Sequence, residues 1–185
     1  IRMPSFKARF TAYFNETENT TDIAFYYADN ISVGNGEFVS EVVSGQNKRN
    51  KGLEAGLEYQ ITSTIKATAV AAFGEYTYTN NPNLVIKADG VTNDIFNGEA
   101  AMAGYKIAGM PQQAYSAGLE YRDPKYWWIG ANVNYLSNNY LDVAPLMRTS
   151  KYITDSDEAN FPYDAALSAS YLAQEKFEAF TLVNL

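Results

Sequence analysis

Apolar and polar residues alternate with a period of two along several segments of the chain. Residues 6–15 read FKARFTAYFN, with apolar side chains at the even positions and mostly polar ones at the odd positions. Successive side chains of a β-strand point to opposite faces, so this pattern predicts a strand with one apolar and one polar face. Residues 22–28, DIAFYYA, predict that the same strand continues well past this segment.

The same alternation predicts further strands, separated by connections of two different lengths. The predicted strands cover 38–43 continuing into 52–61, then 65–73, 113–121, 127–135 and 177–185, with a strand or short helix at 163–173. A turn is predicted at 29–36, where Asn35-Gly36 is a turn dipeptide. Very short turns at 62–64 and 123–125 alternate with long connections at 80–108 and 142–162, which are expected to lack strands.

This asymmetry of the connections indicates the class of fold. Outer-membrane barrels have short periplasmic turns and long extracellular loops, whereas a soluble sandwich has shorter and more even loops. The sequence therefore predicts an all-β protein, an antiparallel up-and-down meander of a transmembrane β-barrel. A soluble β-sandwich is the alternative for the fold.

Aromatic residues gather near both ends of the predicted strands. One group lies beside the short turns and the other near the opposite strand ends, as expected of the aromatic girdles at two membrane interfaces. The first group is Tyr59, Tyr121, Tyr126, Trp127 and Trp128, and the second is Phe73, Tyr76, Tyr78, Tyr135 and Tyr140.

Composition removes several classes of function. No run of apolar residues approaches the ~18 needed for a transmembrane helix, but barrel strands average to a mild hydropathy, as here at -0.29. The 185 residues include no Cys and no His, which removes thiol chemistry, the commonest general base and the commonest metal ligand. A net charge of -7 disfavours nucleic acid as a partner. We predict no enzymatic activity, no cofactor and no metal site.

Three charged groups are candidates for chemistry. Glu54 and Glu58 lie about 13 Å apart if they share a strand, too far to share a proton, and favour a polar lumen over a site. The acidic stretches 89–94 and 155–158 contain the oxygen ligands that calcium needs, although solvation of a loop explains them as well. The basic cluster of Lys48, Arg49 and Lys51 could contact anionic lipopolysaccharide or an anionic ligand, or simply balance charge.

Several segments, taken in order, resemble one family. Residues 47–59 contain Asn50-Lys51-Gly52-Leu53-Glu54, which resembles the N-x-G-[VIL]-E strand of TonB-dependent receptor barrels. Residues 67–80 are similar to the strand that follows it. Residues 108–121 match the family's G-x-P-x-x-x-[YF]-x-x-G-[LV]-x-Y pattern, and 124–128 resemble the periplasmic turn and the start of the next strand. The tail 174–177 resembles the family more loosely.

The resemblance implies a barrel of about 22 strands in the outer membrane, with an N-terminal plug and a segment that engages TonB. Too few strands are predicted here to close such a barrel, so residues 1–185 are expected to be a partial barrel domain without the plug and the last strand. Expected partners are outer-membrane lipid and lipopolysaccharide, the plug, TonB and a surface lipoprotein. The implied function is uptake of a scarce ligand (an iron chelate, glycan, peptide or vitamin).

In this interpretation the connections 80–108 and 142–162 capture the ligand, and the residues that bind it are not identified. The polar strand face is expected to line the wall against the plug through Lys7, Arg9, Glu54, Glu58, Lys66, Glu120, Asn132 and Asn134. Two alternatives for the function stay open: a small structural or adhesive barrel that works without TonB, and a secreted carbohydrate-binding sandwich. The barrel interpretation requires that Phe10, Leu57 and Ile129 face hydrocarbon rather than a protein interior.

Overall fold

The structure, a computed structural model, describes residues 1–28, 37–150 and 172–185, and it consists mainly of β-strands. A 3-10 helix covers Leu146–Arg148. Among the described residues, no helix has both the length and the apolar character that crossing a membrane requires. The strands in chain order are β1 (Arg2–Met3), β2 (Phe6–Ala28), β3 (Glu37–Gln60), β4 (Ile65–Tyr78), β5 (Asn83–Ala88), β6 (Phe96–Glu99), β7 (Gln113–Arg122), β8 (Trp128–Ser137), β9 (Asn139–Tyr140), β10 (Lys176–Phe177) and β11 (Phe180–Asn184).

The main sheet is an antiparallel meander. Its strands follow the order β1-β2-β3-β4-β7-β8-β11, and each pairs antiparallel with the next. The predicted all-β, up-and-down topology of a partial barrel wall is confirmed. The sheet is not closed within the described residues, because β1 and β11 do not pair with each other.

The two longest strands extend far beyond the part that crosses the membrane. β2 has 23 residues and β3 has 24, whereas a barrel strand crosses with roughly ten. The predicted continuation of the first strand through residues 22–28 is confirmed, and the segments 38–43 and 52–61 belong to one strand. The turn predicted at 29–36 between these strands lies outside the described residues.

Each long strand contains a β-bulge, and the two bulges compensate for each other. Thr17 pairs with Lys48 and Thr20 with Gln46, so β2 has one residue more than β3 between these two pairs. The extra residue lies beside Asn19, whose φ is 57°. Further up, β3 carries the extra residue beside Gly45, whose φ is 70°. A single inserted residue reverses which face the following side chains occupy. Because both strands contain one insertion, paired residues still face the same side beyond the bulges.

The short turns form as predicted. At 61–65 the Ile61 amide donates to the Ile65 carbonyl at 2.9 Å, and the Thr62 hydroxyl accepts from the Ile65 amide at 3.0 Å. At 123–127 the Asp123 amide donates to the Trp127 carbonyl at 2.9 Å. These turns lie at one end of the sheet and the long connections at the other, which orients the sheet with the long connections outside the cell.

The connection 80–108 corrects the sequence interpretation, which expected no strands there. It contains the hairpin β5–β6, and β5 pairs with the upper part of β3 from Val39 to Ser44. Leu84 and Ile86 of β5 point to the buried side, so a short alternating segment was mistaken for loop. The connection 142–162 is described as far as residue 150, and the segment predicted at 163–173 lies mostly outside the described residues.

One face of the main sheet is apolar and uncovered. Phe10, Leu57 and Ile129 are 70%, 40% and 61% exposed, so no second sheet or helical layer covers them among the described residues. At the level of this band, the opposite face carries the charged and amide side chains. An apolar band of this kind is what hydrocarbon covers in a membrane barrel, and a sandwich would bury it.

The aromatic girdles need correction at both ends: Trp128, predicted for the girdle beside the short turns, is in register with Arg122 on the inner face. Phe73, Tyr115 and Tyr135 form a row on the apolar face, with ring centroids 5.3 Å and 6.1 Å apart along it. Tyr76 and Tyr78, predicted for this girdle, belong to the inner side instead, because they lie at even positions of β4, on the face opposite Phe73. Beside the short turns Tyr121 packs on Trp127 with centroids 5.3 Å apart.

Candidate functional site

The inner face of the sheet, which we call the luminal wall, gathers the polar residues predicted for it. Register places them on one side of β2, β3, β4, β7 and β8: Lys7, Arg9, Glu54, Glu58, Lys66, Glu120, Asn132 and Asn134. Ion pairs join neighbouring strands near the short turns. Lys7 Nζ lies 2.6 Å from Glu58, and Lys66 Nζ lies 3.4 Å from Glu120.

Sequence reasoning missed one member of this charged row. Arg122, at the end of β7, places its Nε 2.7 Å from the same Glu120 carboxylate that pairs with Lys66. It falls between the predicted strand 113–121 and the predicted turn 123–125, and extending the alternation of the strand by one residue would have included it. The row therefore runs across four strands, with three cations sharing two carboxylates.

Two charges on the wall stand apart from this row. Within the described residues, Arg9 and Glu54 take part in no ion pair. Arg9 lies opposite Gly56 on β3, and Glu54 lies opposite Thr11 and Ala72. The two predicted carboxylates Glu54 and Glu58 thus have different surroundings, and only Glu58 has a basic partner.

Glycines leave shallow depressions in the luminal wall. One is floored by Gly118 and Gly130 and flanked by Lys66, Glu120 and Trp128. The other is floored by Gly56 and flanked by Lys7, Arg9, Glu58 and Val70. A missing side chain lowers the surface of a strand locally, so these places can receive side chains from another element packed on the wall.

Above the depressions, two tyrosines meet across β3. The hydroxyl groups of Tyr13 on β2 and Tyr76 on β4 lie 2.6 Å apart, and their rings are stacked with an interplanar angle of 12°. Gly52 of β3 lies between the two strands in register with Tyr13 and Gly74. The glycine of the N-x-G-[VIL]-E pattern is therefore the position over which Tyr13 folds.

At the extracellular end, the two long connections meet in one buried cluster, the rim cluster. It also includes the inner side of upper β3, and its buried members are Val39, Val43, Tyr78, Leu84, Ile86, Ala88, Ala100, Met102 and Val143. The Ala101 amide donates to the Arg148 carbonyl at 2.7 Å, and Ala100 bridges Thr149. The segments predicted to capture ligand are thus in contact, as far as they are described.

Polar side chains tie the chain end to this cluster. Arg148 is almost fully buried, and its Nε donates to the Tyr105 hydroxyl at 2.8 Å, which in turn donates to the Leu172 carbonyl at 2.6 Å. The Gln174 side chain donates to the carbonyls of Lys106 and Leu141, both at 2.8 Å. These long-range contacts hold three separate connections together, and no local pattern in the sequence predicts them.

A titratable group lies at the rim, in the extracellular extension of β3. Burial raises the pKa of the Glu41 carboxyl above its usual value, and a hydrogen bond from Tyr26 opposes this in part. Glu41 is in register with Ile86, on the side of the rim cluster. An apolar neighbourhood disfavours the charged form of a carboxyl, which accounts for the direction of the change.

The remaining candidates have separate outcomes. Asp94 of the stretch 89–94 pairs with Lys87 at 3.2 Å and accepts from Asn97 at 3.1 Å. Residues 155–158 lie outside the described residues, and the described ones contain no group of three or more carboxylates placed to hold a metal ion. The basic cluster divides: Lys48 lies over the Tyr78 ring on the inner side, whereas Arg49 and Lys51 belong to the outer face.

Comparison with known proteins gives one match. The family model described as TonB dependent receptor-like, beta-barrel matches residues 4–185, almost the whole chain. No curated protein and no solved structure matches the chain. The match extends the resemblance of the separate strand motifs to a continuous alignment.

Proposed function

The chain belongs to the TonB-dependent receptor β-barrel family, whose members are outer-membrane transporters, and we propose that it forms part of the barrel of a receptor that takes up a scarce ligand. The observation that carries this proposal is the continuous antiparallel meander with an uncovered apolar outer face and a charged inner face. Energy for uptake would come from the inner membrane through TonB. An iron chelate, a glycan, a peptide and a vitamin are the ligand classes considered.

Residues 1–185 would be one portion of a larger wall. The outer edges of β2 and β11 have unpaired backbone groups in the part of the chain that the structure describes, and such edges cost several kcal/mol per group in hydrocarbon. Neighbouring strands of the complete receptor would pair with these edges. The plug domain would fill the lumen that the wall then encloses.

The luminal wall supports contact with a plug. Arg9 and Glu54 offer one cation and one carboxylate that the wall itself does not neutralise. The depressions over Gly56 and Gly118 would admit side chains from the plug, while the ion-paired row from Lys7 to Arg122 would form weaker contacts. Exposed ion pairs contribute only about 0–1 kcal/mol each, so plug contacts can exchange with them at little cost.

Ligand capture is assigned to the rim. The rim cluster holds the connections 80–108 and 142–150 in a fixed arrangement above the lumen, and a fixed arrangement lowers the entropy lost on binding. A surface lipoprotein is a further proposed partner at this end. No catalysis is part of the proposal.

Uptake by the complete receptor tests the function. Cells that express it and lack TonB should lose ligand uptake, and collapse of the proton gradient with an uncoupler should have the same effect. The ligand can be screened as ferric chelates, oligosaccharides, peptides and cobalamin-type vitamins. Uptake that persists without TonB would favour the small barrel that works without it.

Thiol labelling tests the inner wall separately. The chain contains no cysteine, so Asn132→Cys and Ala131→Cys each introduce a single thiol into this region. Asn132→Cys should be protected from a membrane-impermeant maleimide in the intact receptor and labelled after deletion of the plug. Ala131→Cys, on the opposite face, should stay unlabelled in both. Equal labelling of Asn132→Cys with and without the plug would contradict contact there.

A further inference from the structure

Two aromatic rings lie flat against the luminal wall just below the rim cluster. Gly52 of β3 and Gly74 of β4 are in register, and they form a floor without side chains. The Tyr13 ring covers Gly52, because a Cβ there would collide with it. The Tyr76 ring covers Gly74 in the same way. The two rings, which we call the tyrosine pair, are inclined by only 12° to each other, so they form one broad aromatic surface.

The tyrosine pair stands at the extracellular mouth of the lumen. Tyr78, a buried member of the rim cluster, follows Tyr76 by two residues on the same face of β4. Beneath it, both rings of the pair stay partly exposed. A ligand that moves from the rim into the lumen would therefore pass directly over these rings.

Two buried amide groups beside the pair lack hydrogen-bond partners. Asn50 is in register with Tyr76, and its Oδ1 is buried without a partner among the described residues. On the other side of β4, the Gln112 Oε1 accepts from the Tyr76 amide at 2.9 Å. The Nε2 of the same side chain is buried and has no partner in the described part of the chain. Buried polar atoms normally have partners, so an acceptor and a donor left over at one place indicate a polar ligand.

The charges around the pair favour a neutral ligand. Glu54 is the next inner residue below Gly52, and it takes part in no ion pair among the described residues. Lys48, above the pair, is already ion-paired, and the unpaired Arg9 lies four residues below Tyr13. The free charge nearest the rings is thus a carboxylate, which repels anions and accepts hydrogen bonds from hydroxyl groups.

We propose that the tyrosine pair binds a pyranose ring of a neutral glycan, and that this glycan is the transported ligand. The C–H face of a pyranose carries partial positive charge and complements the negative face of an aromatic ring. Its hydroxyl groups both donate and accept, so one sugar can supply partners for Asn50, Gln112 and Glu54. An anionic ferric chelate would instead be repelled by Glu54. The inference rests on the proposed function, from which it selects one ligand class.

Binding of sugars by the complete receptor tests the inference. A microarray of neutral glycans, probed with the detergent-solubilised receptor, selects an oligosaccharide, and titration calorimetry then measures its dissociation constant. Tyr13→Leu/Tyr76→Leu should weaken binding roughly tenfold, because both stacking surfaces are lost. The matched control Tyr115→Leu/Tyr135→Leu removes two rings from the outer face and should bind as the wild type does. Heat-modifiable gel mobility checks that the variants fold.

Two milder variants separate binding from structure. Tyr13→Phe/Tyr76→Phe keeps both rings, so it should bind far better than the leucine variant. Glu54→Gln removes the repelling carboxylate, so it should bind uronic acid glycans more tightly relative to neutral ones than the wild type does.

Three results would overturn the inference: no neutral glycan bound on the array, equal affinity in the leucine variant and its control, or an unchanged preference in Glu54→Gln. TonB-dependent uptake of a ferric chelate by a receptor that binds no glycan would count against this inference alone. Glycan uptake that persists without TonB would count against the proposed function alone.

Discussion

Tyr13 and Tyr76 are joined by a 2.6 Å hydrogen bond although their strands do not pair with each other. β3 runs between them, and it passes beneath the two rings at Gly52, which lies in register with Tyr13. The link can form only because no side chain rises from β3 at that point. One glycine thus couples strands β2 and β4 on the inner side of the wall.

Gly52→Ala should destabilise the barrel by about 1–3 kcal/mol, the usual cost of overpacking. A Cβ at this position would collide with the Tyr13 ring and with the backbone carbonyl of Phe73. Gly56→Ala is the matched control, because a Cβ there meets nothing within 4 Å on the same strand and face. Thermal unfolding of the receptor without its plug, followed by gel mobility, measures both. Similar melting temperatures for the two variants would show that the close packing at Gly52 is unimportant.

Ala131→Arg and Asn132→Arg should differ strongly despite being neighbours on β8. Ala131 shares its face with Ile129, so an arginine there enters hydrocarbon and should cost about 2–4 kcal/mol near mid-depth. Asn132 belongs to the luminal wall and faces the lumen, where the same change should be tolerated. Urea unfolding of the receptor in lipid vesicles gives the two free energies, and equal losses would argue against the assignment of faces.

Leu84→Ala should loosen the rim without unfolding the wall. Leu84 is fully buried in the rim cluster, and truncation of such a side chain costs about 2–5 kcal/mol. Val85→Ala, on the opposite and partly exposed face of β5, should have a much smaller effect. Hydrogen exchange of the β5 and β6 amides reports the local opening, while exchange in β7 and β8 should not change. Faster exchange throughout the sheet would mean that rim and wall unfold together.

Glu41→Gln should stabilise the rim at neutral pH. Because burial raises the pKa of the folded-state carboxyl, folding favours the protonated form, and stability falls as the pH rises from the unfolded-state pKa through the folded-state pKa. Glutamine removes this loss, so its advantage should disappear in acid. Opening free energies from hydrogen exchange at acid and neutral pH measure the difference. Glu99→Gln, at an exposed position of β6, is the control and should show no such change.

The membrane-spanning part of the fold could be predicted from the sequence because its information is local. Each strand there separates a lipid face from a luminal face, so the alternation in FKARFTAYFN identifies both the strand and its orientation. The short turns follow in the same way, since Asp123 and Pro124 have strong local preferences. All eight predicted residues of the luminal wall consequently share one face.

The extracellular part could not be predicted in this way. The hairpin β5–β6 is stabilised by pairing with residues 39–44 of β3, about forty positions earlier in the chain. Tyr76 and Tyr78 were predicted to face lipid because they are aromatic, although their even positions on β4 place them on the inner face. The contact of Arg148 with Tyr105 depends on the packing of two connections, which alternation does not report.

The paired bulges at Asn19 and Gly45 restrict how this receptor can be redesigned. Loss of one inserted residue would turn every side chain beyond it around, moving Phe25 to the inner side and Ala24 to the outer. Loss of both inserted residues would again leave paired residues of β2 and β3 on the same face of the sheet. Receptor chimeras that exchange extracellular portions should therefore be spliced below Thr17 and Lys48, so that both insertions are inherited from the same parent.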